Sequence, residues 1–256
     1  MRLTEAELAE MPAKTKKDPE TVALYLEHDF VEAYARHTAR RIEITGYRAA
    51  VGAGDNWEQH GELQRDFLLS QGLKPGHRLL DIGCGTGRLA RKVVPLLERG
   101  HYFGVDIAEA AVIAACGLSV EEGWGDQQPT FWVGEIRDAE TAPKMDMLWA
   151  FSVFIHLPQD IMESVMRRAA ALMHPGSRFY WAYVPEQKTW RSGVKQFRHT
   201  LADYQRAAQQ AGLTFEEVPN WIEQAGYTPA RWTGSQRVAV STRIANETST
   251  GRLAAA

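Results

Sequence analysis

One stretch constrains the chain more than any other: Leu79-Leu80-Asp81-Ile82-Gly83-Cys84-Gly85-Thr86-Gly87-Arg88-Leu89-Ala90. It reads as the end of a buried strand, a turn of alternating glycines and the first turn of a helix. Gly83, Gly85 and Gly87 carry no side chain where the backbone must turn tightly and meet a ligand closely. The unpaired N–H groups at the helix start favour an acceptor-rich ligand. Three glycines also serve purely structural turns, so context decides. Downstream comes a second strand, His101-Tyr102-Phe103-Gly104-Val105, ending in Asp106. This is the order of a βαβ unit whose second strand presents a carboxylate to a ribose. The stretch predicts a nucleoside site.

The ligand follows from two departures from the dinucleotide fingerprint. The spacing is G-x-G-x-G, and Arg88 follows the third glycine. Asp81 stands two residues ahead of Gly83, at the mouth of the loop, where a carboxylate repels a pyrophosphate and attracts an ammonium group. S-adenosylmethionine fits this demand: adenosine at one end, an α-amino acid at the other, and no phosphate. The alternative for Asp81, a cap on local amides at the strand end, is compatible with the ligand role.

Residues 79–90 resemble the first motif of class I S-adenosylmethionine-dependent methyltransferases, and Gly104-Val105-Asp106-Ile107 resembles their second. The similarity continues through Val133-Gly134-Glu135 and the run from Met145 to Leu157, so it covers about residues 57–185. The resemblance implies an α/β fold: a Rossmann-like, mostly parallel seven-stranded sheet with an antiparallel last strand, helices on both faces and an N-terminal helical cap. It also implies methyl-donor contacts from Asp81, Gly83, Cys84, Gly85, Gly87, Asp106, Ile107, Glu135 and Ile136. In this scheme an acidic residue faces the adenine amino group; Glu135 is the first choice and Asp138 competes. Phe151 is expected beside the adenosine or the methyl group. Trp57 and Tyr34 are candidate walls over the donor, by stacking or cation–π contact, or else core residues.

Composition removes other classes. The 256 residues hold 29 basic and 32 acidic side chains, a formal charge of −3. That leaves no nucleic-acid footprint and no polybasic membrane patch. No apolar run reaches transmembrane length, and the N-terminus lacks a signal-like stretch. Two cysteines, Cys84 and Cys116, suit a reducing compartment, so a cytoplasmic protein is expected.

Along the chain, residues 1–56 form an N-terminal arm and cap, with a helical stripe from Pro19 to about Tyr47. Residues 57–245 form the methyltransferase domain and 246–256 a flexible tail. The domain is expected to open with a helix over 58–70. Strands are expected at 77–82, 101–105, 130–133, 145–151, 177–184, 213–218 and 236–243. The principal helices are placed at 88–98, 108–116, 159–172 and 200–211, and 117–129 is read as loop. Segments 185–199 and 219–235 show no clean period and read as lid-like insertions above the carboxyl end of the sheet.

Methyl transfer to a hydroxyl is helped by a base near the acceptor. His156, just beyond the fourth strand, is the first candidate, since ligands of open α/β sheets bind there; its alternative role is to cap or pack the following helix. His60 and His199 are further candidates. Tyr34, Tyr183, Trp190, Arg198 and Trp221 are candidate substrate contacts. Arg191, Lys195 and Arg198 form the densest basic group near the entrance, as an acidic-substrate receptor or as solvated surface. No metal-ligand spacing is present. The fourth strand lacks the Pro-Pro-aromatic sequence of nucleic-acid amino-methyltransferases. The expected function is methylation of an oxygen or nitrogen on a small acceptor, with no nucleic acid or membrane partner and with a homodimer as the alternative to a monomer. The rivals are an NAD-dependent oxidoreductase, a non-catalytic S-adenosylmethionine-binding protein, and a protein or RNA methyltransferase.

Overall fold

The computed structural model describes residues 1–16, 18–50, 56–136, 142–229 and 236–244, with Lys14 described in its backbone only. Asp138, Trp232 and the tail from 246 onward lie outside the described residues.

The chain opens with α1 (Glu5–Glu10), a 3₁₀ turn (Ala13–Lys16), α2 (Pro19–Glu27), α3 (Phe30–Thr45), α4 (Tyr47–Ala50) and α5 (Trp57–Ser70). β1 (Leu79–Ile82), α6 (Ala90–Val93), β2 (Tyr102–Asp106), α7 (Glu109–Glu121), β3 (Thr130–Val133) and β4 (Met145–Ala150) follow. Then come α8 (Gln159–Leu172), β5 (Met173–Tyr183), β6 (Pro185–Glu186), β7 (Trp190–Gly193), β8 (Gln196–Thr200), α9 (Leu201–Gln210), β9 (Glu216–Val218), α10 (Trp221–Gln224) and β10 (Arg237–Ser241).

The main sheet runs β3-β2-β1-β4-β5-β10-β9. β1 pairs in parallel with both β2 and β4, while β10 is antiparallel to β5 and β9. The expected seven-stranded, mostly parallel sheet with an antiparallel last strand is therefore present. Its strand order reverses between β1 and β4, the topological switch point at which such sheets bind ligands.

Alternation along the strands sends side chains to two cores. In β5, Phe179, Trp181 and Tyr183 enter one cluster with α8, α9 and the cap residues Tyr25 and Phe30. Tyr180 and Ala182 enter the other, with Leu63 and Phe67 of α5 and Val93 of α6. Central β1 is buried along its whole length, as a strand covered on both faces must be.

The Pro19–Tyr47 stripe is two helices, not one. α2 ends at Glu27, and Asp29 caps α3 by accepting from the Val31 and Glu32 amides. Both helices keep an apolar face on the same core, so the sequence stripe runs across the break. Pro95 ends the α-helical part after β1, and Val94–Leu96 continue as a 3₁₀ turn. α7 extends through residues read as loop, to Glu121. β5 starts earlier than expected because His174-Pro175-Gly176 is a bulge inside the strand: Met145 pairs with Met173, and Met147 already with Arg178. Segment 185–199 is not a loop; β6, β8 and β7 form a small three-stranded sheet.

Candidate active site

A cavity of about 570 Å³ opens at the carboxyl ends of β1, β2, β3 and β4, roofed by α3. Its floor follows from the glycine loop. Gly83 has φ +71°, and a Cβ built there would lie 2.6 Å from Val153 Cγ2, so the position tolerates no side chain without rearrangement. The loop wraps Asp106: the Gly85 amide donates to Oδ2 (2.9 Å) and the Ala108 amide to Oδ1 (2.9 Å). Burial holds Asp106 above the usual carboxylate range, against these amide bonds, which pull it down.

Asp81 is 4% exposed. Its Oδ2 accepts from the Tyr102 hydroxyl at 2.8 Å, and Oδ1 receives no hydrogen bond among the described residues. Burial pushes its pKa up to about 7. The Tyr102 bond and the nearby Arg88 guanidinium oppose that rise, while Asp106 adds to it. Arg88 lies over the Phe151 ring, 5.8 Å from its centroid, and its Nε has no hydrogen-bond partner among the described residues. A cavity floor carrying an underpaired buried carboxylate, a glycine cradle and a second carboxylate at the β2 end matches the polarity of a cationic amino-acid nucleoside.

His156 sits in a 3₁₀ turn (Phe154–His156) after β4 and lines the cavity. Its Nδ1 lies 3.0 Å from the Lys195 carbonyl oxygen. A carbonyl only accepts, so Nδ1 carries the proton and Nε2 holds the lone pair. Burial pushes the His156 pKa down to about 4, with Lys195 and Arg198 adding and the Lys195 carbonyl bond opposing. The ring is neutral near pH 7. Tyr34 packs on it at 5.7 Å between centroids. His60 also lines the cavity; burial, then Arg88, lowers its pKa to about 4.

The cavity thus gathers Asp81, Gly83, Cys84, Gly85, Asp106, Ile107, Glu135, Ile136, Phe151, Tyr34, His60 and His156. Seven other expected residues lie outside it. Gly87 packs under α7, against Ala115 and Leu118. Trp57 is 1% exposed, edge-on to Tyr47 and beneath Arg48; as the first residue of α5 it points into the core. His199 is buried, its Nε2 2.9 Å from the Leu157 carbonyl, so it braces the His156 turn from behind. Tyr183 faces the α9 side of the sheet and donates to Glu217. Trp221 packs on Phe67 and Phe151 from below and donates to the Gln236 carbonyl. Trp190 stands outside, 39% exposed, with Lys188 over its ring. Arg198 turns to Ser192 and Glu186.

Sequence reasoning passed over Gln64, Ser152, Val153 and Gln236, all of which line the cavity. Gln64 accepts from the Trp149 indole at 2.8 Å and donates to the His60 carbonyl at 3.0 Å, tying α5 to β4 beneath the site. Ser152 holds φ +60°, a left-handed conformation costly for a side chain, and pairs with the Gln236 amide across the cavity wall. A polar residue immediately after a buried strand was the available signal.

Residues 80–179 match the family model described as a methyltransferase domain, the span from β1 through most of β5. Over that span the chain is similar to class I S-adenosylmethionine-dependent methyltransferases. It is 28% identical over 123 residues to the ubiquinone biosynthesis O-methyltransferase of Hahella chejuensis, covering 48% of this chain and 49% of that protein. To methyltransferase GfsG of Streptomyces halstedii it is 28% identical over 201 residues, covering 70% and 68%. The first of these relatives is thus matched over about half its length. Among solved structures, the magnesium protoporphyrin IX methyltransferase of Synechocystis superposes with a TM-score of 0.58 at 19% identity, over 82% of this chain and 96% of that one; this likeness concerns the fold. Among the described residues no group of three or more His, Cys, Asp or Glu side chains could hold a metal ion. No described helix is long and apolar enough to cross a membrane.

Proposed function

We propose that the protein transfers a methyl group from S-adenosylmethionine to a hydroxyl of a small, largely apolar acceptor. The observation that carries this reading is the paired placement of Asp81 and His156: an underpaired carboxylate in the floor, and a neutral imidazole lining the same cavity. Asp81 accepts the ammonium group of the donor through its free Oδ1. Asp106 takes the ribose hydroxyls on the lone pairs left by the Gly85 and Ala108 amides. Glu135, which lines the cavity just beyond β3, is assigned to the adenine amino group, with Ile107 and Ile136 as apolar walls. When bound, the donor supplies an electrophilic methyl on a sulfonium, which the acceptor oxygen attacks in line as the carbon–sulfur bond breaks to leave a neutral thioether.

His156 Nε2 takes the hydroxyl proton as the oxygen attacks. The Lys195 carbonyl keeps that nitrogen aimed and deprotonated, since Nδ1 already holds the ring proton. His60, neutral and on the Phe151 side, is a second wall of the reaction zone. α3 excludes water through Phe30 and Tyr34, which packs over His156. Residues 1–56 serve as the cap and 57–245 as the catalytic domain. The ubiquinone-pathway relative is named an O-methyltransferase, which supports oxygen over nitrogen at the acceptor. The small net charge and the two free cysteines support a cytoplasmic setting.

Methyl-labelled S-adenosylmethionine incubated with paired phenolic and anilinic acceptors tests the reading. The expected result is label on the phenolic oxygen, reduced about 10²–10⁴-fold by His156→Gln with donor affinity unchanged. Label confined to the amines, or equal rates in the variant, overturns the assignment of oxygen and base.

A further inference from the structure

The hairpin above the cavity carries three cations that look equivalent in sequence, and the structure separates them. Arg191 runs beneath the N-terminal helices. Its Nη2 donates to the Val194 carbonyl at 2.6 Å, Nη1 lies 3.9 Å from Glu7, and the guanidinium packs against Phe197 and Tyr25. Arg198 donates to Ser192 at 3.1 Å and pairs with Glu186 at 3.8 Å. Lys195 alone of the three lines the cavity.

Lys195 is half-buried at the turn between β7 and β8. Its Nζ lies 5.8 Å from the centroid of the Tyr34 ring. Among the described residues it has no carboxylate within ion-pair distance and donates no hydrogen bond. Burial, reinforced by Arg41, lowers its pKa. The charge that acts on Lys195 is that of Arg41; the carboxylates felt by its neighbours, Asp18 at His37 and Asp106 at Tyr34, do not pair with it. A partly desolvated ammonium in a field of its own sign is unfavourable unless a ligand anion completes it. Arg88, the other Lys or Arg among the described lining residues, interacts with Asp81. The lining from α3 and α8 is largely apolar, with Phe30, Val31, Ile161 and Val165, and Thr38 and Gln196 add polar atoms.

We propose that Lys195 receives a carboxylate on the methyl acceptor, which makes the acceptor a hydroxylated, otherwise apolar carboxylic acid. This rests on the methyltransferase reading above and narrows its substrate class. A monoanion suits a single ammonium; a phosphate dianion calls for a guanidinium fork or clustered backbone amides, and both arginines of the hairpin are engaged elsewhere. The arrangement also couples binding to chemistry. The backbone carbonyl of Lys195 orients His156, so the residue that anchors the acid also sets the base that meets its hydroxyl.

The test uses full-length protein saturated with S-adenosylhomocysteine and titrated calorimetrically with 6-hydroxy-2-naphthoate and with its uncharged carboxamide. Wild type is expected to bind the acid at least about tenfold more tightly than the amide. Lys195→Met should bring the acid down to the amide's affinity, and Lys195→Arg should keep most of the preference. S-adenosylhomocysteine affinity should be the same in all three proteins. Equal affinities for acid and amide in wild type, no binding of the acid, or a preference that survives in Lys195→Met would each overturn the proposal. The separate titration with S-adenosylhomocysteine reports on the methyltransferase reading: failure there overturns that reading, whereas an intact donor site with no acid preference overturns only the role of Lys195.

Discussion

Replacing Asp81 by Asn should make the unliganded protein more stable and the donor site worse. The carboxylate is 4% exposed and its pKa is raised from 3.8 to about 7, first by burial. A raised carboxylate pKa means that the folded state holds its proton over a range where the unfolded chain has released it. Stability is therefore lost as pH rises from about 4 and the loss is complete once pH passes about 7. With each pKa unit equal to about 1.4 kcal/mol, the full cost above pH 7 is on the order of 4 kcal/mol. Asn keeps an acceptor for the Tyr102 hydroxyl and carries no charge, so the variant removes this cost. Binding moves the other way. A charge-assisted hydrogen bond to an ammonium contributes about 1.5–3 kcal/mol, so its loss should weaken S-adenosylhomocysteine binding about 10- to 150-fold. Denaturant unfolding of both proteins at pH 5 and pH 8, with calorimetric titration of the ligand at pH 8, reads both effects. The variant should gain stability over wild type mainly at pH 8. A variant less stable than wild type at pH 8, or one with unchanged ligand affinity, would refute the account of Asp81.

Gly83→Ala must hold φ +71° and place Cβ 2.6 Å from Val153 Cγ2; the left-handed conformation costs about 1–2 kcal/mol and the overlap about 1–3 kcal/mol. Chemical denaturation should show that loss, and Gly83→Ala combined with Val153→Ala should recover the overlap part, giving a non-additive cycle. Because His156 has its pKa near 4, the rate at saturating S-adenosylmethionine, where the titration of Asp81 no longer limits donor binding, should be flat from about pH 6 to 8. That rate should fall only as pH drops below about 5; a saturated pH–rate profile with a midpoint near 6.5 would contradict the buried, neutral imidazole. Arg191→Met should loosen the N-terminal helices from the hairpin by removing the contacts to Glu7 and Val194, seen as faster amide exchange in α1 and α2 with little change in α5.

Much of this was legible in the sequence where local and global preferences agree. β3 and α8 fall on their expected residues because turn chemistry brackets each and a single period runs between. The floor was legible too, since Gly83, Asp81 and Asp106 are fixed by backbone sterics and by the βαβ order. The aromatic residues were not. Trp57, Tyr183 and Trp221 sit in segments that adjoin the site, but each ring turns to the far side of its element, and which way a ring faces depends on packing from distant chain. The same limit applies to the hairpin. β7 and β8 are short, with a register shift between Arg191 and Gly193, so no period marks them, and nothing local says that Lys195 rather than Arg198 faces inward. The cap break at His28–Asp29 was hidden because α2 and α3 share one apolar face.

The account turns on a cavity that takes an adenosyl amino acid and rejects a pyrophosphate. Side-by-side calorimetric titration of the purified protein with S-adenosylmethionine, S-adenosylhomocysteine and NADH measures this directly. The account predicts micromolar binding of the first two and none of the third; binding of NADH alone would contradict it and would make Asp81 a structural cap in an oxidoreductase.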